Sequence, residues 1–356
     1  MLKAYQRLNN LLSLDTVKDR DTKDSKQSLI SNINIPLDPQ QFYEDFGYLL
    51  HPKTGEPVPE LTPYQYDIWN DKTKYRLCVK SQKVGLSTSA LLECFQKALT
   101  TCRGRDILVI AQSQFHANEH LRTLKNLILN SDKYKDFLIT RPSELSLAEE
   151  KTKVGVAYIK NLENSIQPSR IIALGSSDTQ IYSWKNVKHI LFSDITATKL
   201  LNDESLFAAA FSRLANTDGT MLIETPPRRP KGKVFELYEK YHKQQQNGIK
   251  LQNNSTPSGV LKSENNVLED NPFGKDLPNP QDSSNELFKV YIVKAQQAVN
   301  AGLITREFLD AERERLGPLY SQFYEAEFLS IGGNVFPNED IDIALELGEK
   351  YKHKYQ

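Results

Sequence analysis

The sequence predicts an α/β fold in which a mostly parallel sheet is flanked by helices. Short apolar runs alternate with amphipathic helical patterns between residues 40 and 245, as in folds built from repeated strand–helix units. Several of these runs are continuously apolar, which is typical of strands covered on both faces. The 356 residues are 39% hydrophobic and 25% charged, which fits one large globular domain with appendages or two modest domains.

Six apolar runs are the predicted strands of this sheet. They are YRLCVK (75–80), DILVIAQS (106–113), VGVAYI (154–159), SRIIALGSS (169–177), VKHILFSD (187–194) and GTMLIETP (219–226). The stretch STSALLECFQKALT carries an apolar stripe at helical spacing, and SQFHANEHLRTLKNLIL carries a second. Strands separated by such helices predict parallel pairing.

The polar segments of the chain suggest four regions. A run of Asn, Gln, Ser, Pro and Asp without any period predicts a flexible insertion. After it, FKVYIV predicts another strand, and a helix is expected to begin after Thr305 and to end at Gly317. The predicted regions are an N-terminal polar segment (1–40), a core (41–245), the insertion (246–286) and a C-terminal strand and helix subdomain (287–356).

Composition excludes several classes of function. The 45 basic and 45 acidic residues balance, so the whole molecule has no general attraction to nucleic acid. The sequence contains no run of about 18 apolar residues, so no membrane span is predicted. The N-terminus lacks the apolar stretch of a secretory signal. The three cysteines, Cys78, Cys94 and Cys102, show no metal-ligand spacing and fit buried thiols in a reducing compartment.

The stretch CVKSQKVGLSTSA has the form of a strand, a glycine-containing loop and a helix start. In that context loop amides and a helix N-terminus converge on phosphate, and Gly85 lets the backbone approach the anion. Ser87 stands where a hydroxyl would bind Mg²⁺. Lys80 and Lys83 flank the turn, and either can supply the positive charge. The alternative is a structural turn that binds no nucleotide.

Two neighbouring stretches add candidate nucleotide contacts. Gln65, in LTPYQYDIWND, has an amide that can pair with adenine, and Tyr64 or Tyr66 can stack on the ring. Asp194 ends an apolar strand, where α/β sheets place ligand sites, and would hold Mg²⁺ or orient water. The alternatives are an exposed glutamine with core tyrosines, and an aspartate that caps a helix.

A basic turn follows the sixth predicted strand and its Thr225-Pro226 pair. Its cations are the candidate DNA contacts, since nucleic-acid phosphates are bound by such local basic faces. An ordinary solvated surface is the alternative. The residues concerned are Arg228, Arg229, Lys231 and Lys233.

These motifs, in this order, resemble the ATPase of large terminase subunits, the DNA-packaging motors of tailed phages and related archaeal viruses. The resemblance extends over roughly residues 40 to 345 and depends on Gln65, KSQKVGLS, DILVIAQS, the run ending in HILFSD, and MLIETPPRRPKGKVFELY. It implies a P-loop NTPase fold of the RecA/ASCE type. It also implies ATP and Mg²⁺ as cofactors and translocation of double-stranded DNA gripped without sequence readout.

The resemblance assigns roles residue by residue. Some terminases carry a shifted lysine in the pattern Lys-Ser-x-Arg-x-Gly-x-Ser. By this likeness Lys80 supplies the phosphate-binding charge, and Lys83 replaces the loop arginine that senses the γ-phosphate. Gln65 matches the adenine-reading glutamine, and Thr225 matches the hydroxyl of the coupling motif. The loop pattern is matched by Lys80, Ser81, Gln82, Lys83, Val84, Gly85, Leu86 and Ser87.

The sequence departs from the family pattern at its acidic positions. The family's acidic pair appears as Ser193-Asp194. We favour Asp194 at the glutamate position, with Ser193 replacing the metal-binding aspartate. In the other alignment Asp194 is the metal ligand, and Ile195 replaces the catalytic base. Glu224 replaces a small hydroxyl of the coupling motif. Slow hydrolysis, or hydrolysis only in an assembled ring, is therefore expected.

A nuclease domain is the part of the family pattern that we do not expect in this chain. Such a domain needs about 100 residues and clustered carboxylates, whereas Asp340 and Asp342 are predicted to lie in a solvated junction. The resemblance also implies a portal protein and a small terminase subunit as partners and a homo-oligomeric ring. The site of action would be the host-cell cytoplasm during virion assembly, without a membrane.

Two other functions fit parts of the sequence. A helicase-like DNA translocase would share the glutamine and the phosphate loop, but it needs a second RecA-like domain, for which the chain after 245 is too short and too polar. A nucleotide-binding scaffold with lost or weak hydrolysis would tolerate the changes at Ser193 and Leu86.

Overall fold

The structure is a computed structural model that describes residues 33–47, 49–50, 54–139, 153–163, 165–195, 203–228, 230–253 and 287–329. Every structural statement below concerns these residues. The predictions for residues 1–32, for most of the insertion (254–286), for Arg229, and for Asp340 and Asp342 lie outside them.

The described chain alternates strands with helices, as the sequence predicts. The helices are α1 Pro39–Phe46, α2 Pro63–Asn70, α3 Leu86–Leu99, α4 Gln114–Asn130, α5 Asp178–Tyr182, α6 Glu204–Ala215, α7 Lys233–Asn253, α8 Ala295–Asn300, α9 Arg306–Leu316 and α10 Tyr320–Tyr324. The strands are β1 Leu49–Leu50, β2 Pro57–Val58, β3 Tyr75–Lys80, β4 Asp106–Ala111, β5 Leu138–Ile139, β6 Gly155–Ile159, β7 Ser169–Gly175, β8 Val187–Ser193, β9 Thr220–Thr225 and β10 Phe288–Val293.

Contacts divide the chain into two compact units, each assembled from segments that are distant in sequence. The described residues of the first unit fall within Met1–Asn70, Gly85–Ser193 and Ala209–Gly219, and those of the second within Asp71–Val84, Asp194–Ala208 and Thr220–Gln356. The four linear regions suggested by the sequence stay predictions.

The first unit is built around β4, which pairs in parallel with β7 on one side and β8 on the other. Strand β6 is antiparallel to β7, and β5 is antiparallel to β6. In register, Leu108 lies opposite Ile172 and Ile190, and all three are buried. Helix α4 packs on β4 and β7. The continuously apolar strands are thus explained by a buried parallel sheet.

The second unit holds three parallel strands with β3 between β10 and β9. Val79 is in register with Thr225, and Lys80 is in register with Val293. Helix α7 packs on β10, and a small core of Ala295, Leu309, Tyr320 and Tyr324 joins the C-terminal helices. The parallel register brings the carboxyl ends of these strands to one edge, where α/β sheets place ligands.

Most predicted elements match the structure, and their ends have local causes. Strands β3 and β10 have the predicted bounds. Strand β4 stops earlier than predicted because Ser113 caps α4, its hydroxyl accepting from the His116 amide. Helix α9 is capped by Thr305 and ends at Gly317, as predicted. Helix α7 continues past residue 245 to Asn253, so it includes the start of the predicted insertion.

The prediction that the cysteines are buried is confirmed, since Cys78, Cys94 and Cys102 are all buried free thiols. Among the helices of the described residues, none combines the length and the hydrophobicity that crossing a bilayer requires.

Candidate functional site

Lys80, the last residue of β3, carries a buried ammonium group held by two carboxylates. Its Nζ lies 2.8 Å from Glu224 Oε2 and 3.1 Å from Asp194 Oδ1. The residue is only 8% exposed. All three residues belong to the second unit, so the cluster is a property of that unit alone.

The two carboxylates keep Lys80 positively charged despite its burial. Burial by itself favours the neutral amine, but the charges of Glu224 and Asp194 and their hydrogen bonds outweigh it. The pKa of Lys80 therefore lies above its ordinary value. One cation faces two acids, so with both acids ionised the cluster has a net negative charge.

Backbone structure explains why both acids reach the same amine. Asp194 follows β8 with a left-handed φ of 53°, and its N–H donates to the carbonyl of Glu224 at 2.9 Å. Glu224 lies in β9 opposite Cys78. Its side chain is fully buried, whereas that of Asp194 is 38% exposed. Asp194 can therefore face a ligand, while Glu224 remains inside.

The start of the loop is attached to strand β10 and helix α10 of the second unit. The Ser81 amide donates to Val293 O at 2.8 Å, and its hydroxyl donates to Tyr324 O at 2.7 Å. The Gln82 amide donates to Phe323 O at 2.8 Å. Lys83 follows with an exposed side chain and a left-handed φ of 63°. The loop thus leaves β3 in a fixed conformation.

The first unit contains the end of the loop and the start of α3. Gly85, with φ 71°, is the N-cap of α3 and makes no side-chain capping bond. A residue with a Cβ would be strained in this conformation. Ser87 is half-buried in the first turn, and Leu86 is buried. Val84, which ends the part of the loop in the second unit, is buried as well. The amides of this turn have the arrangement that binds anions at helix N-termini.

Gln65 contacts the loop through its amide group. Its Nε2 donates to Gly85 O at 3.0 Å, and its Oε1 accepts from the Thr62 amide at 2.9 Å. Both Gln65 and Tyr64 are buried. In this state the glutamine supports the loop, and its role in reading adenine stays a prediction.

Ser193, which takes the place of an expected acid, is directed away from solvent. It is 1% exposed, and its Oγ lies 3.1 Å from His120 Nε2 on α4. No sequence pattern pairs these two residues, since His120 is one polar position of an amphipathic helix. No group of three or more metal-ligating side chains is found among the described residues.

The predicted coupling and DNA-binding residues follow β9. Thr225 is buried, and its hydroxyl lies 3.4 Å from the Pro226 carbonyl that it donates to. Arg228 is half-buried with its guanidinium 5.7 Å from the centre of the Phe323 ring. Lys231 is exposed, whereas Lys233 pairs with Glu236 at 3.0 Å. Lys231 therefore presents the most accessible described cation of this turn.

Two contacts at this site are missed by sequence reasoning. The family pattern presents Glu224 only as a replaced hydroxyl, although a glutamate inside an apolar run signals a buried partner. Gln322, on α10, donates to the Pro227 carbonyl at 3.0 Å. Since Phe323 and Tyr324 hold the loop, one short helix contacts both the loop and the segment after β9.

Neither a protein-family model nor a curated protein sequence matches this chain. Similar solved structures include the HK97 bacteriophage large terminase, with 10% identity and a TM-score of 0.51, covering 82% of this chain and 54% of that one. The Thermus phage P74-26 large terminase ATPase domain has 15% identity and a TM-score of 0.48, covering 83% of this chain and 100% of that domain. The large terminase of another thermophilic bacteriophage has 9% identity and a TM-score of 0.48, covering 77% of this chain and 54% of that one.

These likenesses concern the fold. This chain spans about half the length of the HK97 terminase chain and of the other thermophilic phage's terminase chain, and the whole P74-26 domain. The HK97 likeness, together with the parallel strands and flanking helices, confirms the predicted α/β fold with a mostly parallel sheet.

Proposed function

We propose that this chain, which shares its fold with part of a phage large terminase, is the ATP-hydrolysing motor domain of a terminase large subunit. In this proposal ATP hydrolysis drives the packaging of double-stranded DNA into a procapsid. The observation that carries the proposal is the buried Lys80 ammonium, which lies at the carboxyl end of β3 between Asp194 and Glu224. A charged amine at the start of a glycine loop is suited to binding phosphate.

The loop residues divide the work of binding a triphosphate. Lys80 supplies a point charge, and the amides around Gly85 donate to phosphate oxygens. Lys83, exposed on the loop, is placed in sequence to respond to the γ-phosphate. Since phosphoryl transfer depends mainly on positioning and on charge stabilisation, a fixed loop conformation favours it.

Within the second unit, Asp194 offers a partly exposed carboxylate, and hard oxygen ligands are what Mg²⁺ prefers. The loop pattern, and not the geometry, assigns the Ser87 hydroxyl to the same ion. When bound, the ion would neutralise charge on the β- and γ-phosphates. Asp194 is also the residue that we assign to orienting the attacking water, and Thr225 is the residue that would relay the hydrolysis state.

DNA binding is proposed for the turn after β9. An exposed Lys231, with Arg228, Arg229 and Lys233, would contact phosphates without reading bases. Binding should then weaken steeply as salt rises, with a slope of about 0.9 for each phosphate neutralised. A ring of copies, a portal protein and a small terminase subunit are the partners that the same function requires.

The test is ATP hydrolysis by the purified chain and by two variants, with and without double-stranded DNA. Lys80→Ala removes the phosphate-binding charge, and Asp194→Asn removes the acid but keeps its shape. We expect both to lose hydrolysis, Lys80→Ala through weaker nucleotide binding and Asp194→Asn through a lower kcat. Asp106→Asn, which changes a buried acid in the first unit, serves as the control. Full activity of Lys80→Ala would refute the proposal.

A nucleotide-binding scaffold with weak turnover is the second candidate. The contact between Ser193 and His120 favours it, because the residue that replaces an acid is buried instead of facing a ligand. This candidate predicts tight, Lys80-dependent ATP binding without turnover, with DNA present or absent. Measured turnover that stops in Asp194→Asn would exclude it.

A further inference from the structure

We propose that Glu224 sets the affinity of the loop for triphosphate, because its carboxylate competes with phosphate for the ammonium of Lys80. The inference rests on the proposed function, since it assumes that Lys80 binds phosphate. It assigns to Glu224 a positioning role, exerted through Lys80, in place of the small hydroxyl that the terminase pattern has at this position.

The geometry of the pair supports competition. Glu224 Oε2 is 2.8 Å from Lys80 Nζ, the shorter of the two carboxylate contacts. The glutamate side chain has no exposed surface, and its backbone is fixed by parallel pairing of β9 with β3. It therefore cannot swing into water when an anion arrives.

Asp194 differs from Glu224 in its exposure to solvent. It is 38% exposed, so solvent or a cation can compensate its charge when Lys80 turns to a phosphate. Glu224 has no exposed surface, so water does not screen its charge, and burial strengthens its interactions with nearby charges. A phosphate that approaches Lys80 consequently meets repulsion from Glu224, and Lys80 has to share or exchange its hydrogen bonds.

The test is a binding titration of the full chain with a fluorescent, slowly hydrolysed ATP analogue and Mg²⁺. Glu224→Gln keeps the side-chain shape and removes the charge. We expect its Kd to fall on the order of tenfold, and the KM for ATP to fall with it. Asp106→Asn, the same change at another buried acid with a cation partner, should leave the Kd unchanged.

A second variant covers the case in which Glu224→Gln does not fold. Glu224→Thr inserts the small hydroxyl of the family pattern, and threonine is favoured in strands. It should tighten binding similarly. Adding Lys80→Ala to either variant should abolish the gain, since the effect acts through that amine. A purely structural role would not produce this dependence.

The outcomes separate this inference from the proposed function. A folded Glu224→Gln protein that binds the analogue as weakly as the wild type, or more weakly, would overturn the role of Glu224. Binding that is insensitive to Lys80→Ala in all backgrounds would instead overturn the phosphate-binding role of the loop.

Discussion

Two buried acids in this chain are paired with cations in different ways. Asp106, at the start of β4 in the first unit, receives two parallel bonds from Arg170, from Nε at 2.7 Å and from a terminal nitrogen at 2.8 Å. Arg170 also lies 5.3 Å from the centre of the Trp184 ring. Glu224, at the end of β9 in the second unit, shares a single ammonium with Asp194.

The difference indicates which cluster is structural and which can change partners. A bidentate arginine–carboxylate pair is geometrically complete, since both oxygens and the planar fork are matched. A lysine between two acids is a point charge with more acceptors than its charge balances. Such an ammonium can transfer its hydrogen bonds to a third anion, because its present contacts impose no fixed geometry. A phosphate-binding lysine requires this property.

Removing Lys80 should have the largest effect of any single change in either cluster. Lys80→Ala leaves Glu224 buried without its cation, which costs about 3 kcal/mol of unfolding free energy, and nucleotide binding should disappear. The double variant with Glu224→Gln should recover most of the stability but none of the binding. Urea unfolding and nucleotide titration measure the two effects. Recovery of nucleotide binding in the double variant would contradict the assignment of the Lys80 cluster to phosphate binding.

Breaking the arginine pair should affect stability alone. Arg170→Ala removes two charge-assisted bonds from a buried carboxylate, and we expect a loss of about 2 kcal/mol with unchanged nucleotide affinity. Arg170→Lys keeps the charge but not the planar guanidinium, so its stability should lie between those of the wild type and Arg170→Ala. Thermal unfolding and the same titration provide the measurements. A changed nucleotide affinity in a folded Arg170→Ala protein would mean that both clusters serve the site.

Cutting the attachment of the loop should have a smaller effect on stability. Ser81→Ala deletes the buried hydroxyl bond to Tyr324 O, for an expected cost of about 1 kcal/mol. Because this bond fixes the loop beside Lys80, nucleotide affinity should fall as well. Thr305→Ala, which removes the N-cap of α9 in the same unit, is a control of similar cost. Equal nucleotide affinity in both variants would show that the attachment is dispensable.

The strands of this fold were predictable because burial leaves a local signal. Continuous apolar runs predict β3 and β10 with their observed bounds, and strand–loop–helix order locates Lys80 and Gly85. The pairing of β10 with β3 was not predictable from the local pattern, since the two strands are remote in sequence. The contact of Glu224 with Lys80 depends on the register that sets Cys78 opposite Glu224, and no local pattern encodes that register.

Substitutions of Lys83 should have the smallest effect, and they separate the contribution of the loop's backbone conformation from that of the Lys83 charge. Lys83 has a left-handed φ of 63°, which costs about 1 kcal/mol for a residue with a Cβ. Lys83→Gly should therefore stabilise the chain by roughly 0.5 kcal/mol, after the greater freedom of glycine in the unfolded chain is subtracted. Lys83→Ala loses the same amine without this gain. Both variants should lower kcat equally if the ammonium responds to the γ-phosphate, whereas only the glycine variant should raise the unfolding midpoint. A lower kcat in one variant alone would assign the effect to backbone conformation, and Lys80 would then be the loop's sole catalytic charge.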